Sequence, residues 1–288
     1  LMIRRPPRST QSRSSAASDV YKRQHPRNMK LKIDLTVGLE FSPQTFIISS
    51  DDQKAKLECC DIEPNAYGNF VDVAMLGLPT LQVLMDSGIP ILGAVHLSQR
   101  FQQLHPLRLD ENIRVSGKII GIKPHPRGSI LCCEFKYEND EDQICVEATR
   151  SGIIPLGDKK PSNGIFRPKE DLDGFIKICE KTLEPSKVAA FSKEAGNLIH
   201  SDPQVARKHG FRAPIAAGLM GVHFYREIIA KYMDNPECFD MEIWFRRPMF
   251  WDDSLLLWAK KKNGNIHAMH LLGSENKPTS NCLIHSVN

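Results

Sequence analysis

The chain reads FSKEAGNLIHSDPQVARKHGFRAPIAAGLMGVHFYREIIAKY over residues 191–232. Its last part, Ala216–Tyr232, carries apolar side chains at most positions and predicts a long buried helix. Ahead of it, Ser186 is expected to cap a short helix over Lys187–Glu194, which Gly196-Asn197 ends. The stretch therefore predicts a short helix, an irregular break and a central helix around which a domain can pack.

The break between the two helices carries polar side chains. Asn197 and His200 are predicted to lie on an irregular loop. Asp202-Pro203 is typical of a helix start, with Asp202 as the cap and Pro203 in the first turn. Gly210 is expected to end that short helix in a left-handed conformation.

The start of the long helix is predicted to hold an acyl thioester. A helix start offers unpaired N–H groups and the positive end of a dipole, and Gly218 in its first turn lets a carbonyl approach the backbone. A backbone N–H near Gly218 would then stabilise a developing enolate oxygen. His200, on the adjoining loop, can move a proton or position a water.

This stretch resembles the MaoC-like family of (R)-specific enoyl-CoA hydratases and 3-hydroxyacyl dehydratases. The positions that match the family motif are Asn197, Ile199, His200, Asp202, Pro203, Ala206, Gly210, Phe211, Ile215, Gly218, Leu219 and Met220. The resemblance implies a hot-dog fold, in which an antiparallel sheet wraps a long helix. It also implies His200, Asn197 and Gly218 as catalytic groups, with Asp202, Phe211, Ile215 and Leu219 binding substrate, and no metal or redox cofactor.

Two positions depart from the family motif. Ala195 stands where the family has its catalytic Asp, and Ala217 stands where it has a His before the helix glycine. Alanine cannot accept or deliver a proton, and loss of one member of an acid–base pair commonly costs orders of magnitude in rate. Glu194 is adjacent, but on a helix it would point about 100° away.

The chain repeats one plan twice. The two predicted helices are Phe70–Met85 and Ala216–Tyr232, and each is followed by four predicted strands. The strands are Leu92–Phe101, Asn112–Ile122, Ser129–Tyr137 and Gln143–Ser151, then Phe239–Arg246, Ser254–Lys261, Ile266–Leu272 and Asn281–Val287. A basic-Pro-apolar-x-x-Asp motif recurs at His105–Asp110 and Arg247–Asp252, which favours an internal duplication.

The fold class expected is therefore α+β, a double hot-dog. Each antiparallel sheet wraps a central helix, and the two sheets can pair edge to edge to remove an exposed edge. Residues 29–162 would form a non-catalytic half that shapes the acyl tunnel, and residues 163–288 the MaoC-like half, joined by a linker at Gly157–Lys169. Residues 1–28 resemble a translated sequencing adaptor; a mitochondrial transit peptide is the alternative.

Composition limits the remaining classes. The chain has 288 residues and a net charge of +4, but residues 1–24 carry six basic side chains and one acidic, so the rest has a net charge of −1. A nearly neutral body argues against nucleic-acid binding, and no apolar run reaches the roughly 18 residues of a membrane span. Eight cysteines without a C-x-x-C pair favour a reducing intracellular compartment: cytoplasm, peroxisome or mitochondrion.

Structural alternatives stand beside several of these residues. For Asn197 the alternative is a hydrogen bond to the loop backbone alone, and Asp202 is better explained as a helix cap. Gly218 is explained equally well by close helix–sheet packing and by a role in binding an oxyanion. His267 and His270 fit a strand better than a metal site. Lys260–Lys262 before Asn263-Gly264 is expected to form a solvated hairpin tip rather than a nucleotide-phosphate site.

The function expected from the sequence is a hydro-lyase on acyl-thioesters of CoA or an acyl carrier. His200 would be its general acid/base or water-holding group. Its rival is a catalytically impaired hot-dog that binds acyl-thioesters or acts as an assembly partner, because of Ala195. Whether the chain forms a homodimer is left open.

Overall fold

The computed structural model describes residues 34–91, 93–155 and 167–288. The expected tail, most of the linker, the boundary at 162/163 and Leu92 lie outside these ranges. The elements of the first half are β1 (Glu40–Ile47), α1 (Ser50–Cys59), a 3₁₀ turn (Val73–Leu76), α2 (Gly77–Asp86), β2 (Val95–Gln103), β3 (Asn112–His125), β4 (Gly128–Glu138) and β5 (Ile144–Ile154).

The second half follows the same plan with more irregular structure ahead of its long helix. Its elements are β6 (Ile176–Thr182), α3 (Pro185–Phe191), 3₁₀ turns at Lys193–Ala195 and Leu198–His200, α4 (Pro203–Lys208), α5 (Gly218–Tyr232), β7 (Phe239–Phe245), β8 (Ser254–Lys262), β9 (Asn265–Leu272) and β10 (Pro278–Val287).

The strands form one continuous antiparallel sheet in the order β1-β3-β4-β5-β2-β7-β10-β9-β8-β6. The halves meet where β2 pairs with β7, from Ser98 opposite Trp244 to Gln103 opposite Phe239. Arg100 adds a two-pronged ion pair to Asp240 across this joint. The predicted α+β double hot-dog is confirmed, and its sheets share a single edge-to-edge seam that leaves neither half with an open strand there.

The repeated motif occupies the same place in both halves. The residue two positions before each helix start pairs with the motif: Val71 N–H donates to Leu107 O at 2.9 Å, and Ala216 N–H donates to Met249 O at 2.8 Å. Isolated bridges join Phe70 to Arg108 and Ile215 to Phe250. The motif therefore ties the loop after the first post-helix strand to the segment that enters the central helix.

Each of the eight predicted strands is present, with ends that differ by at most three residues. The first helix begins later than predicted, at Val73, because the Asp72 side chain accepts from Ala74 N–H and caps that turn. The predicted cap at Ser186 is wrong. Helix α3 begins at Pro185, since proline suits the first helical position.

The central helices of the two halves touch. A Cβ added to Gly77, the first residue of α2, would clash with the side chain of Leu219 in α5. Helix α5 buries most of its length between this contact and the sheet, with Val222, Phe224 and Ile229 almost fully covered. The glycine lets the two helices approach closely, which joins the halves into one core.

A buried polar network crosses the same interface. The His223 Nδ1 atom of α5 lies 2.6 Å from Asp72 Oδ2, and the two side chains are 1% and 0% exposed. The Asp72 N–H donates to Gln53 Oε1 at 2.7 Å. The other carboxylate oxygen of Asp72, Oδ1, accepts from Ala74 N–H at 3.0 Å, so both oxygens of this buried carboxylate have a partner.

No helix within the described ranges is both long and apolar enough to span a bilayer.

Candidate active site

His200 lies at the end of a 3₁₀ turn, half-buried against the segment that leads into α5. Its Nδ1 atom lies 2.7 Å from the carbonyl oxygen of Ile215. A carbonyl only accepts, so Nδ1 carries the proton and the neutral ring keeps its lone pair on Nε2. Burial lowers the pKa of His200, against a smaller raising effect of the bond to Ile215, which favours the neutral, proton-accepting ring at pH 7.

Two backbone links fix the position of this ring relative to α5. The Ile215 N–H donates to Ile199 O at 3.2 Å, and Ile215 O accepts from the imidazole. Ile215 stands three residues before Gly218, where α5 begins. Ile215, predicted to bind substrate, therefore acts here through its backbone, whose two hydrogen bonds hold His200 beside the start of α5.

Gly218 begins α5, and Ala217 ahead of it provides no side-chain cap. Met220 N–H already donates to Ala217 O at 2.9 Å, so the N–H groups of Gly218 and Leu219 are the ones left for another acceptor. A Cβ at position 218 would lie 2.8 Å from the Phe245 ring on β7. Close helix–sheet packing alone therefore requires a glycine here, and the oxyanion role stays a prediction.

Asn197 and Asp202 are both occupied with capping. Asn197 Oδ1 accepts from Ile199 N–H at 3.2 Å, and the side chain is exposed. Asp202 Oδ1 accepts from Gln204 N–H at 2.7 Å and from Val205 N–H at 3.2 Å. Both residues shape the loop that carries His200, and Asp202 starts α4 as the capping alternative predicted.

The other two predicted substrate residues take different positions. Phe211 is half-buried after α4, where its N–H donates to Ala206 O at 3.1 Å. Leu219 packs on Gly77 at the contact between the central helices. Leu219 thus lies beside the start of α5, whereas Phe211 lies at the end of α4. Gly210, between α4 and Phe211, has a φ of +83°, which is the left-handed conformation expected.

The two departures from the family motif leave His200 without a titratable partner from that motif. Ala195 ends a 3₁₀ turn, and Ala217 precedes α5. The carboxylate of Glu194 pairs with Lys56 of α1 at 3.1 Å and is half-exposed. Glu194 is therefore directed toward α1 and does not replace the missing acid.

Sequence reasoning missed residues of the first half that approach this site along the inner face of the sheet. The His96 ring on β2 lies 4.4 Å, centroid to centroid, from Phe245, which covers Gly218. Arg150 on β5 pairs in register with Gln99 of β2. The alternation Val146, Ala148, Arg150 in β5 was a signal, since every second residue of a strand faces the same side.

The first half also contains a polar cavity of about 340 Å³, lined in part by Asn65, Asn69, Arg108 and Asp110. All of its lining residues belong to the first half, and their polarity does not suit an acyl chain. This cavity is therefore not the acyl tunnel predicted for the first half, and that tunnel stays a prediction.

Among known proteins, the chain matches no family model and no curated protein sequence. Its structure is similar to solved structures of other proteins. HtdX from Mycobacterium tuberculosis superposes with a TM-score of 0.68 at 16% identity, over 85% of this chain and 98% of that one. A MaoC-like dehydratase from Phytophthora capsici gives 0.68 at 15% identity, over 89% and 98%.

A similar fold also occurs in an acyl-ACP thioesterase from Bacteroides thetaiotaomicron, with a TM-score of 0.57 at 8% identity, over 85% of this chain and 96% of that one. The resemblance to MaoC-like dehydratases holds at the level of the fold. At these identities the choice between reactions depends on the residues of the site.

Proposed function

We propose that this protein is a hydro-lyase that acts on acyl-thioesters. The reaction is the reversible hydration of a trans-2-enoyl thioester to an (R)-3-hydroxyacyl thioester, in fatty-acid metabolism. The observation that carries the proposal is the hydrogen bond between His200 Nδ1 and Ile215 O at 2.7 Å. It leaves the basic Nε2 atom of a ring with a lowered pKa beside the uncapped start of α5.

In the proposed reaction the thioester oxygen accepts from the N–H groups at the start of α5, which polarises the enoyl group. His200 Nε2 takes a proton from water as the oxygen of that water adds to the β-carbon. The resulting enolate oxygen is stabilised by the same N–H groups and by the helix dipole. The α-carbon then takes the proton back from the imidazolium, so His200 ends the cycle neutral.

A second candidate is a binding or assembly protein with little or no turnover. It is favoured by Ala195 and Ala217, because no side chain at these positions can share proton transfer with His200. Glu194, the carboxylate next to Ala195 in the sequence, is paired with Lys56.

The two candidates are separated by hydration of crotonyl-CoA, followed as loss of the absorbance of the enoyl thioester. The hydro-lyase predicts turnover by the wild type, at least 100-fold less in His200→Ala and more in Ala195→Asp. His209→Ala is the matched control, because His209 is an exposed histidine of the same segment. No wild-type turnover, with activity gained only in Ala195→Asp, would support the binding protein, and release of free CoA thiol would indicate a thioesterase instead.

A further inference from the structure

Arg150 lies on the inner face of the sheet without a counter-charge from the residues that the structure describes. Arg150 occupies a row of inward-facing residues across the strands, between Cys133 of β4 and Gln99 of β2, and Ile243 of β7 continues the row. These three neighbours are at most 2% exposed. The next row holds Arg100 and Glu134, which face outward and form ion pairs, so the inward position of Arg150 follows from the strand alternation.

The guanidinium of Arg150 lacks partners within the described part of the chain. Its Nη1 atom is buried and has no hydrogen bond, and no ion pair joins it to a carboxylate there. Burial lowers the pKa of Arg150 to about 10, so the side chain is still a cation at pH 7. The groups that act against this shift are the thiol of Cys133 and the phenol of Tyr137, and burial raises the pKa of both, which leaves them neutral.

Two further buried polar atoms lie beside it, His96 Nε2 and Gln99 Oε1, neither with a well-formed hydrogen bond, although the two side chains interact with each other. Burial and the charge of Arg150 hold the pKa of His96 well below its usual range, against the smaller raising effect of its hydrogen bonds to Ser98 and Gln99, so its ring is neutral. Arg150 is half-buried as a residue, but its buried Nη1 atom is costly to leave unbonded, because each unmade hydrogen bond costs about 1–3 kcal/mol and charged groups cost more. A polar ligand that bonds Nη1 in this cluster of Arg150, His96 and Gln99 would therefore gain binding free energy.

The cluster is connected to the candidate active site. The His96 ring contacts Phe245, and the Phe245 ring covers Gly218 at the start of α5. Arg150 on β5 and Ile243 on β7 are separated by one strand, so their backbones lie about 10 Å apart. The start of α5, Phe245 and Arg150 therefore lie along the same inner face of the sheet.

We propose that the acyl chain of the substrate ends in a carboxylate, which Arg150 binds at the far end of the acyl site while Gln99 and His96 complete its polar surroundings. This inference rests on the proposed function and names its substrate class: acyl-thioesters of dicarboxylic acids. A planar guanidinium matches a carboxylate with two parallel hydrogen bonds, and the ligand supplies the missing counter-charge. A methyl-ended chain would leave Arg150 Nη1 without this hydrogen bond.

The test measures binding by calorimetry, because binding does not require turnover. Adipoyl-CoA and hexanoyl-CoA have the same carbon count and differ by a terminal carboxylate in place of a methyl group; suberoyl-CoA and octanoyl-CoA form a longer pair. The wild type should bind the carboxylate member of at least one pair about 10- to 100-fold more tightly, as a charge-assisted hydrogen-bond pair allows. Arg150→Met should abolish that preference, and Arg150→Lys should retain part of it.

Arg114→Met is the matched control, because Arg114 is exposed on β3 and pairs with Glu138, so the preference should persist in this variant. Arg150→Met should melt at or above the wild-type temperature, since it removes an unpaired buried charge. If that variant does not fold, the two ligand pairs on the wild type decide alone. If the wild type binds the methyl-ended thioesters equally well or better, the carboxylate proposal is wrong. Turnover of crotonyl-CoA in that case would still support the proposed hydro-lyase function. Absence of binding by every thioester, together with absence of turnover, overturns both.

Discussion

The buried pair between Asp72 and His223 should contribute a large part of the stability of the fold. Asp72→Ala leaves His223 buried without its partner at 1% exposure, and breaking such a pair costs about 3–5 kcal/mol. The same change removes the cap on Ala74 N–H, worth about 1 kcal/mol. Domains of this kind have a total unfolding free energy of about 5–15 kcal/mol, so Asp72→Ala should lose a large fraction of the stability of the fold.

The assay is equilibrium unfolding in urea for Asp72→Ala, His223→Phe and the double variant. The two residues touch, so their effects should be non-additive, with a coupling energy of about 1–3 kcal/mol. Glu138→Ala provides the comparison, because its partner Arg114 is half-exposed and an exposed pair is worth about 0–1 kcal/mol. A cost for Asp72→Ala similar to that of Glu138→Ala, or additive effects in the double variant, would show that the pair does not join the two halves.

Three further predictions concern the candidate site. Because burial lowers the pKa of His200, its neutral form should persist below pH 6.5, and kcat/KM should stay constant through neutral pH and fall only in more acid solution. The unfolded chain binds the proton more readily than the folded chain, so stability should also decrease as the pH falls below about 6.5. A fall centred above pH 7 would contradict this environment. Gly218→Ala places a Cβ 2.8 Å from the Phe245 ring and should cost about 1–3 kcal/mol of stability, which Phe245→Leu should partly restore in thermal unfolding; an unchanged melting temperature would count against the close packing. Asp202→Ala should cost about 1 kcal/mol, and Asp202→Ser almost nothing, with kcat nearly unchanged in both; a 100-fold loss of kcat in Asp202→Ser would make Asp202 more than a cap.

Local chemistry made much of the fold predictable. The long apolar run before Tyr232 predicts α5, and the caps at Asp202 and Gly210 predict α4. The Asn263-Gly264 turn has both residues at positive φ, +52° and +86°, as a tight hairpin requires. These features are encoded within a few residues, so one sequence suffices to find them.

Elements whose stability comes from distant contacts were not found. Strands β1 and β6 lie at the two edges of the sheet, where alternating exposure gives a weak pattern. Helix α1 buries only Gln53 and Leu57 and has almost no apolar stripe. Its role appears only in the fold, where Gln53 supports Asp72.

The candidate site was predictable in its motif but not in its surroundings. His200 and Gly218 could be proposed from the sequence because their residue types and spacing are local, and their roles stay predictions. The inward position of Arg150, and the contact from His96 to Phe245, depend on the register of β2 against β5 and β7, which a single sequence does not specify.

The central claim is that the imidazole of His200 faces a bound acyl thioester at the start of α5. Histidine ring signals of ¹⁵N-labelled protein, followed by NMR during titration with unreactive butyryl-CoA, test it most directly. The signal that His200→Gln removes should shift and change its pKa as the ligand saturates, while that of His209 should not. Saturation by butyryl-CoA with the His200 signal unmoved would place the thioester elsewhere and contradict the account.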